Sequence, residues 1–218
     1  MTCWALIPVK APGFGKTRLA SVLRPQQREA LVAGMLRHVL NTVSACPAIQ
    51  RVCVLGPPRP NLGKGILRFD DPGPDLNGAL ESTMAAITAA GPERILVLPA
   101  DLPCLGMADV ERLANLPADT LGIAPDRHRT GTNGLSIPLP SGIWYPFAFG
   151  QDSFSNHCNN AINIGLSVET ILSCGLEKDI DEPLDLADAV RVLRRIYDPE
   201  NGSGIDEWPR QGGRKRSA

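Results

Sequence analysis

Apolar residues run almost without interruption from Trp4 to Val9 and stop at a Lys-Ala-Pro-Gly loop. A short continuous run of this kind predicts a strand buried on both faces of a parallel sheet. From Pro25 to Ala45 the pattern changes. Leu31, Met35, Val39 and Val43, joined by Val32, Leu36 and Leu40, recur at three- and four-residue spacing and paint one broad helical face. Short apolar runs return at Arg51–Leu55 and Arg94–Leu98, with a small-residue helical stretch over Gly78–Ala90 between them. The alternation continues through a helix at Ala108–Leu116, strands at Thr120–Ala124 and Leu135–Pro138, a helix after Ser153, a strand at Ser167–Leu172 and a last helix at Leu184–Ile196.

Strands alternating with helices predict an α/β fold, a single doubly wound, mostly parallel, Rossmann-like sheet with right-handed crossovers. Ligands of such sheets lie outside the carboxyl ends of the strands, so the loops after Val9, Leu98, Ala124 and Pro138 should converge. The 218 residues suit one domain, taken as 1–197, followed by a tail at 198–218 rich in glycine, proline and charge. That tail reads as a solvated end, because Arg214, Lys215 and Arg216 are too few to mark a nucleic-acid surface.

Composition narrows the partners. With 43% hydrophobic and 21% charged residues and a formal net charge of -1, nothing pulls the chain toward nucleic acid or an anionic membrane. No stretch approaches the ~18 apolar residues of a membrane span, and the expected location is the cytoplasm. The six cysteines are scattered without a CxxC pair, which points to neither a zinc site nor a disulfide framework. An apolar patch beside the sheet would suit a homodimer.

The chemistry gathers in a few loops. Residues 10–19 supply glycines that let backbone amides approach an anion, and Lys10, Lys16 and Arg18 to neutralise it, as a triphosphate cradle would. The rival is a P-loop, but the first glycine of GxxxxGK[ST] would fall on Lys10. Asp101, in LPADLP directly after a strand, is positioned to meet a hard cation such as Mg²⁺ together with phosphate oxygens, and alternatively to cap a helix. Asp179, Asp181 and Glu182 form a late acidic cluster, which either completes that metal site or favours the start of a helix at Pro183. Thr132, Gly150 and Ser153 offer hydroxyls and a close backbone approach to a second anion, or else form ordinary capped turns. Asn77 and Gly78 sit where an N-cap or a base contact is expected. None of His38, His128 and His157 belongs to a nucleophile-and-acid pattern.

Taken in order, IPVK (7–10), KTRLA (16–20), LNGAL (76–80), LPADLP (98–103), APDR (124–127), GTNGL (131–135), FGQDSF (149–154) and DIDEP (179–183) resemble the CofC/FbiD family of 2-phospho-L-lactate or phosphoenolpyruvate guanylyltransferases. These are relatives of the MobA-like nucleotidyltransferases, and the match spans residues 4–190. The resemblance implies the sheet of nucleotide-diphospho-sugar transferases and GMP transfer from GTP to a small phosphorylated acid (2-phospho-L-lactate, phosphoenolpyruvate or 3-phosphoglycerate) in deazaflavin coenzyme biosynthesis. It implies Mg²⁺ on Asp101 and Asp181, catalysis by Asp101 and Lys16, and GTP phosphates on Lys10, Lys16 and Arg18. The base would lie near Asn77 and Gly78, and the acid on Thr132, Gly150 and Ser153. The chain departs from the family at Gly13-Phe14-Gly15, which is richer in glycine, and at Asp152, where glycine is usual. A sugar-1-phosphate or molybdenum-cofactor-type nucleotidyltransferase, or a non-catalytic GTP-binding module, would carry much of the same pattern.

Overall fold

The computed structural model describes residues 1–11, 15–59, 62–70, 75–139 and 144–186. The proposed tail, Gly13, Phe14 and most of the final helix lie outside the described residues.

Among the described residues, seven strands form one sheet in the order β3-β2-β1-β4-β6-β5-β7. They are β1 (Cys3–Pro8), β2 (Arg51–Leu55), β3 (Leu67–Phe69), β4 (Arg94–Val97), β5 (Thr120–Pro125), β6 (Thr132–Pro138) and β7 (Ser167–Thr170). The helices are α1 (Pro25–Ala45), α2 (Leu76–Thr88), α3 (Met107–Ala114) and α4 (Ser153–Asn163). The pleat of the central strands explains why their sequences read as unbroken apolar runs. Ala5 and Ile7 of β1 join Val52, Val54 and Leu96 in a core with Val39 and Val43 of α1 and Val110 and Leu113 of α3. Leu6, Cys53, Ile95 and Val97 point the other way, into a core with Leu80 and Met84 of α2 and Ala161 of α4.

Helix boundaries follow local chemistry. Pro25 opens α1 at a position that needs no donor, and Gln27 Oε1 accepts from the Arg24 amide at 2.8 Å. Asp75, not Asn77, caps α2, its carboxylate accepting from Gly78 N at 3.0 Å. The short edge strand β3 escaped sequence reasoning because its three residues are largely exposed and form no apolar run.

The sheet is parallel except for β6, which runs antiparallel to both β4 and β5. The expectation that the loop after Pro138 would join the site is therefore corrected: that loop leaves from the opposite end, and Thr132, at the start of β6, takes its place. The physical reason is chain length. Only Asp126–Gly131 separate β5 from β6, whereas a parallel crossover needs on the order of a dozen residues. Arg129, at φ 58, makes the sharp bend that a hairpin requires.

Because β1 pairs with β2 on one side and β4 on the other, the chain reverses its direction of travel across the sheet at β1. Such a switch point opens a crevice at the carboxyl ends of the two strands.

Candidate functional site

That crevice holds a cavity of about 460 Å³. Its walls are the end of β1 with Lys10, the Gly15–Lys16 bend, Arg28 and Glu29 of α1, Arg59 beyond β2, Asp75 and Leu76 at the start of α2, and Pro99–Asp101 beyond β4. Asp181 reaches in from the late loop.

Two carboxylates converge on one cation position. Leu98 N still bonds to Leu6 O at 3.1 Å, and Leu102 is fully buried, so the intervening Asp101 is held at the crevice rim. Ile180, packed with Leu19, Leu23, Leu31 and Met35, anchors the neighbouring Asp181. Between them lies Lys16, whose Nζ donates to Asp101 Oδ2 and, at 2.7 Å, to Asp181 Oδ1. Burial works against the ammonium, whose side chain is 7% exposed, but Asp101 and then Asp181 outweigh it and raise the Lys16 pKa. Lys16 also adopts the left-handed backbone region, φ 57, immediately before the helical turn Thr17–Ser21. Non-glycine residues hold that conformation at a cost of roughly 1–3 kcal/mol, which favours a bend dictated by what its side chain does. Arg18 is exposed, with its guanidinium 4.0 Å from Asp181 Oδ2.

Asp179 belongs to the same acidic group. Burial, and then the fields of Asp101 and Asp181, push its carboxyl above the ordinary carboxylate range. The three aspartates present only hard oxygen donors, and the Lys16 ammonium marks where a cation balances two of them. Among the described residues no three such side chains form a complete protein cage. Mg²⁺ commonly binds through one or two carboxylates plus substrate phosphate and water, so the donor set fits it.

The late loop is held from below. Asp185, 4% exposed, accepts from the amides of Asp181 at 2.9 Å and Glu182 at 2.6 Å, and from the Arg127 guanidinium of the APDR segment. The helix-start reading of DIDEP is met here, with the Asp185 carboxylate reaching back to the amides that precede the turn. Burial would raise the Asp185 pKa, but these hydrogen bonds and Arg127 lower it. A Cβ on Gly175 would stand 2.1 Å from Asp109 Oδ2 and 2.9 Å from Cys104 O, so glycine is what lets the loops after β4 and β7 pack together.

The second cluster lies where β6 begins. Leu135 pairs with Val97, so Asn133 and Thr132 extend past the end of β4 toward the Asp101 loop. Asn133 Nδ2 donates to Leu176 O at 2.9 Å. Thr132 Oγ1 lies 3.1 Å from Ser153 Oγ and 3.1 Å from His157 Nδ1. Gly150 has φ 126 and Asp152 φ 53, both in the left-handed region. That explains why glycine suits position 152 and why aspartate, among the side chains that tolerate this region, can replace it. Asn77 and Gly78 lie in the first turn of α2. The Asn77 amide bonds Phe149 twice, Nδ2 to O at 3.1 Å and Phe149 N to Oδ1 at 2.8 Å, and so ties α2 to the FGQDSF loop.

Four further residues belong to none of the sequence motifs. Arg59 lines the cavity and donates to the Lys10 carbonyl, while its buried Nε has no partner among the described residues. His38 contacts Leu105 O at 2.9 Å, and His128 lies 3.0 Å from Arg127 Nε. His157, fully buried, has its pKa pushed down to about 4 by desolvation, against a smaller opposing effect of the Ser153 backbone. The unfolded chain then takes up this proton first, so stability should fall as pH drops from about 6.5 to about 4, by on the order of 3 kcal/mol in total. Urea titrations of wild type and His157→Phe at pH 7 and pH 4.5 check this: the wild type should lose more stability than the variant, and equal losses would refute it.

Comparison with known proteins adds independent findings. The family model for CofC-like guanylyl transferases matches residues 3–191. A phosphoenolpyruvate guanylyltransferase of Sphaerobacter thermophilus is 34% identical over 191 residues, covering 85% of this chain and 91% of that protein. A 2-phospho-L-lactate guanylyltransferase of Methanothermobacter thermautotrophicus is 33% identical over 219 residues, covering 93% and 95%. In fold, the chain is similar to a protein of Desulfovibrio desulfuricans described as a nucleotide-diphospho-sugar transferase, with TM-score 0.65, 17% identity, and coverage of 90% and 99%. Among the described residues no helix is long and apolar enough to cross a membrane.

Proposed function

The chain belongs to the family of CofC-like guanylyl transferases, and we propose that it transfers GMP from GTP to a small phosphorylated acid with release of pyrophosphate. Phosphoenolpyruvate and 2-phospho-L-lactate, the acids in its relatives' names, are the first acceptors to consider, and 3-phosphoglycerate the third. The observation that carries this reading is the convergence of Asp101 and Asp181 on one cation position at the rim of a cavity lined by Lys10, Lys16 and Arg59.

An acceptor phosphate oxygen attacks the α-phosphorus of GTP, the bond to the bridging oxygen of the β-phosphate breaks, and pyrophosphate leaves. With a second pKa near ~6 the acceptor phosphate is already an anion at neutral pH, so no side chain need remove a proton. The protein's task is to hold two repelling anions in line. Mg²⁺ on Asp101 and Asp181, with Asp179 behind them, would stabilise charge on the α-phosphate. Lys16, once released from the carboxylates, stays on the cavity wall beside Gly15, where a triphosphate needs a cation. Lys10 and Arg59 neutralise the leaving pyrophosphate side. Thr132, Gly150 and Ser153 receive the acid at the end of β4, which keeps the two anions on separate elements.

Pyrophosphate release with GTP, Mg²⁺ and each acid in turn, with ATP and CTP as base controls, tests the reading. Release that depends on one acid and on GTP supports it; silence with all three acids in a folded protein that binds GTP rejects it. Arg59 gives a more local check. Its substitution by Ala should raise the KM for GTP about tenfold with little change in kcat, the worth of one charge-assisted contact. An unchanged KM for GTP would remove Arg59 from the nucleotide site.

A further inference from the structure

Both nitrogens of the buried His157 ring are engaged. Ala148 N donates to Nε2 at 2.9 Å, so Nε2 keeps its lone pair and the neutral ring carries its hydrogen on Nδ1. Nδ1 faces Thr132 Oγ1 at 3.1 Å. The ring is pinned between Phe149, edge-on at 4.7 Å, and Tyr145, stacked at 6.1 Å, whose hydroxyl donates to the His157 carbonyl at 3.2 Å.

The proton count of this assembly has one consequence. Because Nδ1 already bears hydrogen, it cannot accept from Thr132. Thr132 and Ser153 own two hydroxyl protons between them, and their 3.1 Å contact uses one, whichever residue donates. The other proton finds no acceptor among the described residues. Thr132 is 8% exposed and Ser153 2%, and a buried donor left unsatisfied is costly, so the pair favours a ligand that brings an oxygen acceptor. The opposite tautomer would let Thr132 donate into the ring and would consume the spare proton. Pinning the tautomer therefore turns two ambivalent hydroxyls into a one-way donor.

We propose that His157 is a positioning residue for the acceptor substrate: its ring, locked by the Ala148 amide, makes the Thr132–Ser153 pair present its free proton to an oxyanion of the phosphorylated acid. This rests on the reading of Thr132 and Ser153 as acceptor contacts. The role extends the site to a residue on the second turn of α4 that touches no substrate itself.

Two substitutions separate the ring's two faces. His157→Gln can accept from Ala148 with its carbonyl but puts no donor where Nδ1 stood; His157→Asn can put its amide there. His157→Gln should raise the KM for the acid about tenfold, the scale of one hydrogen bond to a charged group, and leave the KM for GTP within about twofold. His157→Asn should recover most of that loss. In a Thr132→Ala background His157→Gln should add less than about twofold, because the relay is already cut. An unchanged acid KM in folded His157→Gln, or equal rises in both KM values, overturns the proposal. Calorimetric titration of phosphoenolpyruvate and of inorganic phosphate, with Mg²⁺ and a GTP analogue that cannot release pyrophosphate, keeps this distinct from the proposed reaction. If wild type turns over none of the acids but binds one of these anions about tenfold more tightly than His157→Gln, the reaction is wrong and the relay stands. If wild type binds neither, or both proteins bind alike, the relay is overturned.

Discussion

Asp101→Asn should lower turnover by on the order of a thousandfold while GTP affinity moves by less than about fivefold, the pattern expected when charge stabilisation at the reacting phosphate is lost and ground-state binding is kept. The substitution preserves shape and removes one negative charge from the pair that converges on Lys16. Asp181 is then the one carboxylate left against that cation position, while Lys10, Arg59 and the β1 loop, the groups proposed to hold GTP, keep their places on the cavity wall. The side chain is partly exposed and its backbone is fixed by β4 and Leu102, so the fold should survive, and a melting curve beside the kinetics checks that. Single-turnover pyrophosphate release gives the chemical step directly. Loss of less than about tenfold would take Asp101 out of the catalytic role, because removing one preorganised electrostatic group usually costs a hundredfold or more. A non-catalytic GTP-binding module would have no turnover to lose.

The largest effect on stability is expected far from that chemistry. Arg94 opens β4 at the end opposite Asp101 and is fully buried. Its guanidinium donates to the carbonyls of Thr120 and Ser136 at 3.2 Å each, Leu116 at 3.3 Å and Pro117 at 2.6 Å, and to Ser136 Oγ at 2.7 Å. No carboxylate stands among these described partners. Burial lowers its pKa, but a guanidinium keeps its charge, so the positive charge is balanced by carbonyl dipoles of β5, β6 and the turn after α3. Arg94→Met fills similar space and leaves those acceptors without a donor. The expected loss is about 3–5 kcal/mol, or a melting temperature lower by about 10 °C. Arg94→Lys should lose about half as much, since an ammonium reaches fewer carbonyls than the fork. Denaturant titration reads both. A change below about 1 kcal/mol for Arg94→Met would mean that water replaces the guanidinium at no cost.

What the sequence disclosed follows from the range of the forces involved. Trp4 to Val9 and Pro25 to Ala45 were legible because burial acts on contiguous or periodic side chains, and α1 spans the residues its period marks. The reversed direction of β6 was also written locally, in a β5–β6 connection too short for a crossover, yet the turn residues Asp126–Gly131 carry no apolar pattern to draw notice. Asp101, Asp181, Thr132 and Ser153 were visible as motif residues. Their geometry was not, because Lys16 is 85 positions from Asp101 and 165 from Asp181, and only folding brings them together. In the sequence Arg94 is only the first residue of a predicted strand, and Arg59 belongs to no motif. Both derive their significance from burial, which a single charged residue in a sequence does not announce.

The β5–β6 hairpin divides labour along the chain. The proposed acceptor contacts Thr132, Gly150 and Ser153 and the positioning residue His157 fall within a run of 26 consecutive positions, whereas the cavity proposed for the nucleotide is assembled from β1, α1, β2 and β4 with Asp181. The face proposed to receive the acid is thus a cassette, clipped to the remainder by the β4–β6 ladder and the paired Asn77–Phe149 amides. Transplanting that cassette between relatives should carry acid preference with it and leave base preference behind, so one scaffold can acquire a new acceptor without rebuilding its phosphate chemistry.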